Sequence, residues 1–382
     1  MIEGSLTETK LREELWPRFS RVLARKRIYL ANHSLGRPPD RMAEDVREAL
    51  DAWYRDMGGA WEPWLAARER FRALTARLVG APRADCIVPK TSAAQGLRAV
   101  LNALEGVPRV VASDGEFDSL DFVLRVYREK RRIALEILPW RALSADNADL
   151  VVLSTVQFRS GELVTALAER IRAAHAVGAL VLLDVYHHAG ALPLDLATLE
   201  ADFAVGGSYK YMRGGTGACW LYVRPGLTEQ LRTLDTGWFA KKDVFAYQRP
   251  DPPEFGSGGD AWLESTPPVL APVQALAGLE VTLELGPERL RAYNLEQKAR
   301  LATLLAEQGV HAEGAGSAHG AFLTVTHRSA TGLSAALASA GVDCDARGDT
   351  LRLCPDVLNS DAELCLAAQR VGSVVASSSP QR

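Results

Sequence analysis

Short apolar runs alternate with amphipathic segments through the middle of the chain. From about residue 86, helical patterns separate five apolar runs: CIVPK, RVVAS, ALEILPW, DLVVLSTVQF and ALVLLDVYH. Strands that are apolar on both faces are buried between helices, so this alternation predicts a mainly parallel sheet that is covered on both sides. Ligands of such sheets bind at the carboxyl ends of the strands, and chemistry is expected there.

Helical patterns flank this region on both sides. Before it lie DRMAEDVREALDAWYRDM and EPWLAARERFRALTARLVG, and the second ends at Gly80, a residue that suits a left-handed helix terminus. After Val223, a stretch rich in glycine and proline predicts a linker with loops, followed by helices from Thr266 and from Pro287. The last part mixes short strands and helices, which predicts a smaller α+β lobe.

The chain has 382 residues, more than a single hydrophobic core usually supports. We therefore predict an α/β protein in three parts. Residues 1–60 form an N-terminal segment that contributes to the active site, and residues 61–265 form a large domain around the mainly parallel sheet. Residues 266–382 form an interdomain helix and a small α+β C-terminal domain.

Composition and charge exclude several classes of function. The net charge is −3, and no basic block stands out, so the chain is not predicted to bind nucleic acid. No apolar run reaches the roughly 18 residues of a membrane span, and the polar N-terminus does not resemble a signal peptide. The five cysteines form no C-x-x-C pair, which predicts reduced thiols in a cytoplasmic protein.

Candidate chemistry begins with Lys210, which stands between two apolar runs in FAVGGSYKYMRGGTGACWLYV. A lysine in a turn commonly reaches solvent, and Asp184, at the end of the run VLLD, could simply cap a turn. Together, however, they match the needs of pyridoxal phosphate. This cofactor requires a carboxylate that keeps its pyridine nitrogen protonated and an amine that bonds covalently to it.

Several motifs, in the same order along nearly the whole chain, resemble those of kynureninase, a fold-type I pyridoxal phosphate enzyme of the class V aminotransferase group. They are IYLANHSLGRPP, YRDMGGAW, DVYHHAGALPLDL, GSYKY with its following glycines, GWF, TPPVLAPVQALAGLE and DARGDTLRLCPDVLN. The resemblance implies a large domain that binds the cofactor over a mainly parallel sheet.

The resemblance also assigns roles around the cofactor. Lys210 would bond to it covalently, Asp184 would pair with its ring nitrogen, and His187 would hydrogen-bond its phenolate oxygen. The remaining cofactor contacts that the resemblance implies are stacking by Phe117 and phosphate binding by Tyr209 and by the helix start at Ser92, Ala93 and Ala94. His187 and His188 do not indicate a metal site, since neighbouring residues of a strand face opposite ways and no spaced ligands accompany them.

For the substrate, the resemblance points to Arg352, whose planar guanidinium can bind a carboxylate through two hydrogen bonds. Asn32 and His33 match positions that approach the same carboxylate. Trp238 and Thr266 match positions that reach the cofactor phosphate of a neighbouring subunit, which implies a homodimer with shared active sites.

The chain departs from the kynureninase pattern at positions near the substrate. His33 replaces an asparagine, Leu120 stands where an aspartate is usual, and the ending DVLNS lacks a tyrosine. Thr266 also replaces an asparagine. The departures predict that the chemistry of the cofactor is retained, whereas the recognition of the substrate changes.

Three functions therefore stay open. The first is hydrolytic cleavage of a Cβ–Cγ bond, as in kynureninase, giving L-alanine and an aryl acid. The second is a class V aminotransferase, or a lyase or epimerase, for another amino acid, and the third is a relic that binds without turnover. Cys344 invites comparison with cysteine desulfurases, but it matches a non-catalytic position, so a packed thiol is favoured.

Overall fold

A sheet of seven strands forms the centre of the molecule. The computed structural model describes residue 2 and residues 4–378 of the chain. In chain order, its first strands are β1 Ile28–Tyr29, β2 Ile87–Lys90, β3 Arg109–Ser113, β4 Ala134–Leu138, β5 Leu150–Ser154, β6 Leu180–Asp184, β7 Phe203–Gly207 and β8 Cys219–Val223. The central sheet has the order β2-β8-β7-β6-β5-β3-β4. Only the pairs of β8 are antiparallel, which confirms the mainly parallel sheet.

The α-helices lie on both faces of this sheet and beyond it. They are α1 Glu8–Lys10, α2 Ser20–Leu23, α3 Arg41–Asp56, α4 Trp61–Val79, α5 Ala93–Leu101, α6 Asp118–Glu129, α7 Leu167–Ala176, α8 Leu227–Gln230, α9 Leu270–Leu285, α10 Pro287–Glu307, α11 Ala330–Ser339 and α12 Asp361–Ser378. In the part of the chain that the structure describes, none of these helices combines the length and the apolar character needed to span a bilayer.

Alternating positions of the strands pack into two hydrophobic cores, one on each face of the sheet. In β5, Val151 and Leu153 contribute to one core, and Leu150 and Val152 contribute to the other. Helices α4, α7 and α9 cover the first core, and α5 and α6 cover the second. The continuous apolar runs therefore arise because both faces of each strand are buried.

Two helix boundaries illustrate how the sequence sets the elements. Helix α4 ends at Gly80, which adopts the left-handed conformation with a φ of 63°, as predicted. The predicted helix start at Thr266 is wrong, because α9 begins at Leu270. Pro267 and Pro268 intervene, and a residue that precedes a proline is disfavoured in the helical conformation.

Two smaller sheets join distant parts of the chain. Strands β9 Leu323–Thr326, β10 Val342–Asp343, β11 Asp345–Arg347 and β12 Thr350–Leu353 follow α10. Strands β11, β12 and β9 form an antiparallel sheet, while β1 pairs in parallel with β10. The N-terminal segment thus lies beside the C-terminal region, with Leu30 N–H donating to Asp343 and Cys354 N–H donating to Leu30. The division of the chain at residues 60 and 265 stays a prediction.

Candidate active site

A cavity of about 160 Å³ opens at the carboxyl ends of β5 and β6. Ser154 and Asp184, the last residues of these strands, both line it. Lys210 enters from the turn after β7, and Ser92 enters from the start of α5. The fold thus places at one edge of the sheet four residues that are far apart in sequence, as expected for an α/β protein.

Lys210 and His187 form a buried hydrogen-bonded pair in this cavity, with 2.7 Å between Lys210 Nζ and His187 Nε2. Burial lowers the pKa of Lys210 to about 7, and burial together with the charge of Lys210 holds the pKa of His187 well below its usual range. The imidazole is therefore neutral and accepts a hydrogen bond from the amine. Near neutral pH a large fraction of the lysine is uncharged, which makes it a competent nucleophile and base.

Aromatic rings surround the amine of Lys210. The ring centroids of Tyr186, Phe117 and Tyr209 lie 5.6, 5.8 and 5.9 Å from Lys210 Nζ. All three rings line the cavity. Phe117 also packs edge-on against Phe158, at 5.3 Å between centroids. A flat heteroaromatic ring has suitable stacking partners here.

Asp184 supplies a buried carboxylate whose protein partners do not balance its charge. Its Oδ1 accepts a hydrogen bond of 2.8 Å from the backbone N–H of Tyr186. Burial raises the pKa of Asp184 to about 6, although the Tyr186 N–H and the charge of Lys210 oppose this rise. A cationic N–H in the cavity would stabilise the ionised form of this carboxylate, and a protonated pyridine nitrogen provides such a group.

The start of α5 forms the opposite end of the cavity. Ser92 caps the helix, with its Oγ accepting from Gln95 N–H at 3.1 Å, and both Ser92 and Ala93 line the cavity. Ala94 follows in the first turn. The first N–H groups of a helix have no intrahelical acceptor, so those of Ala93 and Ala94 suit a phosphate group.

Arg352 lies outside the lining of this cavity, in β12, and its guanidinium is already occupied. Its Nε and Nη2 donate to the two carboxylate oxygens of Asp345 at 2.9 and 2.6 Å. Its Nη1 donates to the carbonyl of Phe158 at 2.6 Å. The hydrogen bond from His33 and the ion pair with Arg352 hold the pKa of Asp345 well below its usual range, although burial opposes this. A substrate carboxylate would have to share or replace the contacts of Asp345.

The structure brings His33 to the same ion pair but directs Asn32 elsewhere. His33 Nε2 lies 2.7 Å from Asp345 Oδ1, and the His33 ring lies 6.4 Å from the His187 ring. Burial lowers the pKa of His33 to about 4, and its Nδ1 has no hydrogen-bond partner among the described residues. The Asn32 amide instead donates to the carbonyl of Cys354 at 3.0 Å.

Trp238 and Thr266 contact each other rather than the cavity. Trp238 Nε1 donates to Thr266 Oγ1 at 3.1 Å. Thr266 borders a second cavity of about 140 Å³, which shares Thr91, Gly217 and Cys219 with the first. Their predicted role in a neighbouring subunit stays a prediction.

Sequence reasoning did not single out Glu116, Ser154 or Asp345. Asp345 belongs to the motif that contains Arg352, but nothing in the sequence shows that the two side chains pair. Glu116 directly precedes Phe117 and is almost fully buried. A glutamate is usually exposed, so its burial is not expected from the sequence. Cys344 is half-buried and does not line the cavity, and burial raises its pKa to about 12, as a packed thiol requires.

Comparison with known proteins shows the family of this chain. Residues 63–330 match the family described as "Aminotransferase class-V". The chain belongs to this family. Kynureninase from Deinococcus radiodurans is 29% identical over 299 residues, covering 74% of this chain and 72% of the relative. Kynureninase from Salinispora tropica is 30% identical over 307 residues, covering 72% and 71% of the two chains.

Solved structures show the same fold at lower identity. The cystine C-S lyase C-DES in complex with cysteine persulfide has a TM-score of 0.81 and 18% identity, with 93% of this chain and 99% of that chain covered. A cysteine desulfurase from Thermococcus onnurineus NA1 has a TM-score of 0.81 and 19% identity, with 99% and 100% covered. Family membership confirms the predicted fold and cofactor, pyridoxal phosphate, and the cavity has the residues to hold it.

Proposed function

We propose that this protein hydrolyses the Cβ–Cγ bond of an aryl-substituted α-amino acid of the kynurenine type. One molecule of water is consumed, and L-alanine and an aryl acid are the products. The observation that carries this proposal is the likeness to kynureninases, which reaches 30% identity and spans more than two thirds of both chains. The solved structures at 17–19% identity support the fold alone and do not select a reaction.

When bound, pyridoxal phosphate supplies an electron-withdrawing ring that makes the bonds around the substrate Cα easier to break. Lys210 would hold the cofactor covalently and move the proton at Cα, since its lowered pKa leaves much of the amine uncharged. Asp184 would keep the ring nitrogen protonated. His187 would orient the amine of Lys210 and approach the phenolate oxygen of the cofactor.

Arg352 would bind the substrate carboxylate through its guanidinium, with Asp345 and His33 controlling access to it. Asp345 now accepts from two nitrogens of the guanidinium, so the substrate would compete with it. Because His33 contacts the same Asp345 Oδ1 that accepts from Arg352 Nε, substrate entry would also change the contacts of His33. The substrate would thus replace an ion pair that is already formed.

The second candidate is a class V aminotransferase, or a lyase or epimerase, acting on a different amino acid. The contact between His33 and Asp345 favours keeping it, because His33 stands where kynureninases carry an asparagine. With Arg352 as the proposed partner of the substrate carboxylate, this contact would lie where the substrate is selected. The cofactor end of the site serves either reaction.

We further propose that the protein is a cytoplasmic homodimer in which Trp238 and Thr266 complete the partner's site. The five cysteines are unpaired, which suits a reducing compartment. Mixing inactive Lys210→Ala and Trp238→Ala proteins tests the shared site. Random exchange of subunits should restore about a quarter of wild-type activity, because half the dimers are hybrids with one intact site. Absence of recovery after proven exchange would exclude shared sites.

The reaction is tested by incubating the protein, loaded with pyridoxal phosphate, with L-kynurenine and identifying the products by mass. Anthranilate together with L-alanine is expected. Kynurenic acid, formed when the transaminated keto acid cyclises, would instead assign the protein to the aminotransferases. Absence of any product from loaded protein would exclude L-kynurenine as substrate, and Lys210→Ala serves as the inactive control.

A further inference from the structure

A second buried carboxylate lies behind the cofactor cavity. Glu116 is only 5% exposed and immediately precedes Phe117, which lines the cavity. Glu116 itself does not border the cavity. Burying an ionised glutamate costs free energy unless its charge is hydrogen-bonded or paired. The position of Glu116 therefore needs a physical explanation.

Three donors hold the carboxylate of Glu116. Ser113 Oγ lies 2.5 Å from Oε1, Ser154 N–H donates to Oε1 at 2.8 Å, and Ser154 Oγ lies 2.7 Å from Oε2. A backbone N–H can only donate, and an ionised carboxylate can only accept. These three donors stabilise the ionised form of Glu116 and oppose the cost of its burial.

The turn that carries Glu116 lies close to the end of β5. At Gly115 a Cβ atom would lie 1.7 Å from Oε1 of Gln157, so a larger residue would require the end of that side chain to move. Gln157 Nε2 in turn lies 3.4 Å from the carbonyl of Ser154. The side chain of Gln157 therefore contacts both the turn and the end of β5.

Ser154 connects Glu116 to Asp184, the carboxylate that would pair with the ring nitrogen of the cofactor. It is the register neighbour of Asp184 across β5 and β6, and it lines the cavity. Burial and the charge of Asp184 raise the pKa of Glu116 to about 7, against the effect of its three donors. The charge of Lys210 has the opposite sign and lowers the pKa of Asp184. Glu116 and Asp184 thus interact as two like charges in a buried environment.

We propose that Glu116 is a positioning residue of the cofactor site: its negative charge increases the proton affinity of Asp184 and thereby keeps the ring nitrogen of pyridoxal phosphate protonated. Its hydrogen bonds fix Ser154 at the end of β5, so that the spacing of the two carboxylates is constant. The proposal depends on the cofactor site and not on which substrate bond breaks, so it is independent of the outcome with L-kynurenine.

The test is a pH titration of the ring nitrogen itself. Wild type and Glu116→Gln are loaded with pyridoxal phosphate carrying ¹⁵N in the ring, and the ¹⁵N chemical shift is followed by NMR. Glutamine keeps the shape but removes the charge. We expect the ring nitrogen of Glu116→Gln to lose its proton at a pH lower by about one unit, since a nearby charge moves a pKa by about 1–3 units.

Matched variants separate charge from structure. Glu116→Asp keeps the charge and should retain most of the wild-type titration. Glu129→Gln removes an equal charge from an exposed position in α6 and should change nothing. Ser113→Ala removes one donor, raises the proton affinity of Glu116 and should give a smaller shift in the same direction as Glu116→Gln.

The proposal is wrong if Glu116→Gln titrates like wild type, or if Glu129→Gln shifts the titration equally. If Glu116→Gln does not retain the cofactor, Ser113→Ala decides between the outcomes. An unchanged titration in Ser113→Ala would then overturn the proposal, and a downward shift would support it.

Discussion

At the scale of single residues, burial decides the chemistry of Lys210. An exposed lysine is almost fully protonated at neutral pH, whereas desolvation lowers the pKa of Lys210 to about 7. The residue type is visible in the sequence, but this shift depends on the walls of the cavity. The neutral imidazole of His187 adds a hydrogen-bond acceptor without adding a charge.

The lowered pKa predicts a pH dependence for cofactor attachment. The uncharged amine is the reactive form, so the rate at which apoprotein bonds to pyridoxal phosphate should rise between about pH 6 and 8 and then level off. Stopped-flow absorbance measures this rate. A rise that continues to about pH 10, the ordinary value for lysine, would show that burial does not lower the pKa of Lys210.

The pairing of Asp345 with Arg352 makes a second prediction. Asp345→Asn leaves Arg352 buried without a counterion, which should cost roughly 3 kcal/mol of unfolding free energy. Sodium acetate should restore part of this stability, because its carboxylate can occupy the guanidinium. Urea denaturation in acetate and in chloride of equal ionic strength measures the difference. Equal curves in the two salts would mean that Arg352 is closed to external carboxylates.

At the scale of elements, backbone geometry at helix ends can be predicted and tested. Gly80 combines a φ of 63° with close packing, because a Cβ atom there would lie 2.6 Å from Asp195 Cα. Gly178 has a φ of 82°, but no atom lies within 4 Å of the position of its Cβ. The two glycines differ in packing and share the left-handed conformation.

Gly80→Ala should therefore destabilise the protein more than Gly178→Ala. The left-handed conformation costs either alanine about 1 kcal/mol, and the contact with Asp195 adds to this only at position 80. Thermal unfolding of both variants measures the difference between their losses of stability. This difference gives the effect of the steric contact with Asp195. Equal losses would show that the loop at Asp195 moves aside.

Pattern-based predictions at this scale were confirmed where the signal was local. Helix α5 begins after Ser92, and helix α4 ends at Gly80, because capping depends on nearby residues. The start expected at Thr266 was wrong because Pro267 and Pro268 delay the helix. The pairing of β1 with β10 joins residues far apart in sequence, and no local pattern carries that information.

At the scale of the whole molecule, a buried ion cluster ties three regions together. Asp356 accepts from both terminal nitrogens of Arg213, at 2.9 and 2.7 Å, and lies 3.5 Å from Arg37. Arg37 belongs to the N-terminal segment, Arg213 follows the turn that carries Lys210, and Asp356 follows β12. The cluster therefore links the turn that carries Lys210 to the N-terminal segment and to the region after β12.

Asp356→Asn should cost about 3–5 kcal/mol, since it leaves two arginines buried without their counterion. Asp361→Asn is the matched control, because Asp361 also pairs with an arginine through two bonds but is exposed, and should cost less than about 1 kcal/mol. Urea denaturation compares them. The pKa of Asp356 is lowered in the fold, so its contribution is present above about pH 4 and is lost in acid. A difference between the variants that persists at low pH would contradict this account.

The sequence by itself determined the fold class and the cofactor, and it predicted the residues around the cofactor. Both faces of the central strands are buried, so their apolar runs are continuous, and ordered motifs mark Lys210, Asp184 and His187. These signals come from residues that are close together in the sequence. They can therefore be recognised without knowing which residues are neighbours in space. The same reasoning predicted that the start of α5 binds a phosphate group.

Only the tertiary structure decided how these residues behave. Desolvation depends on all surrounding groups, so neither the lowered pKa of Lys210 nor the raised pKa of buried Glu116 is visible in the sequence. The contact of His33 with Asp345 likewise depends on the segment after β1 reaching the C-terminal strands. Ion pairs and burial are long-range properties, because they arise from residues that only folding brings together.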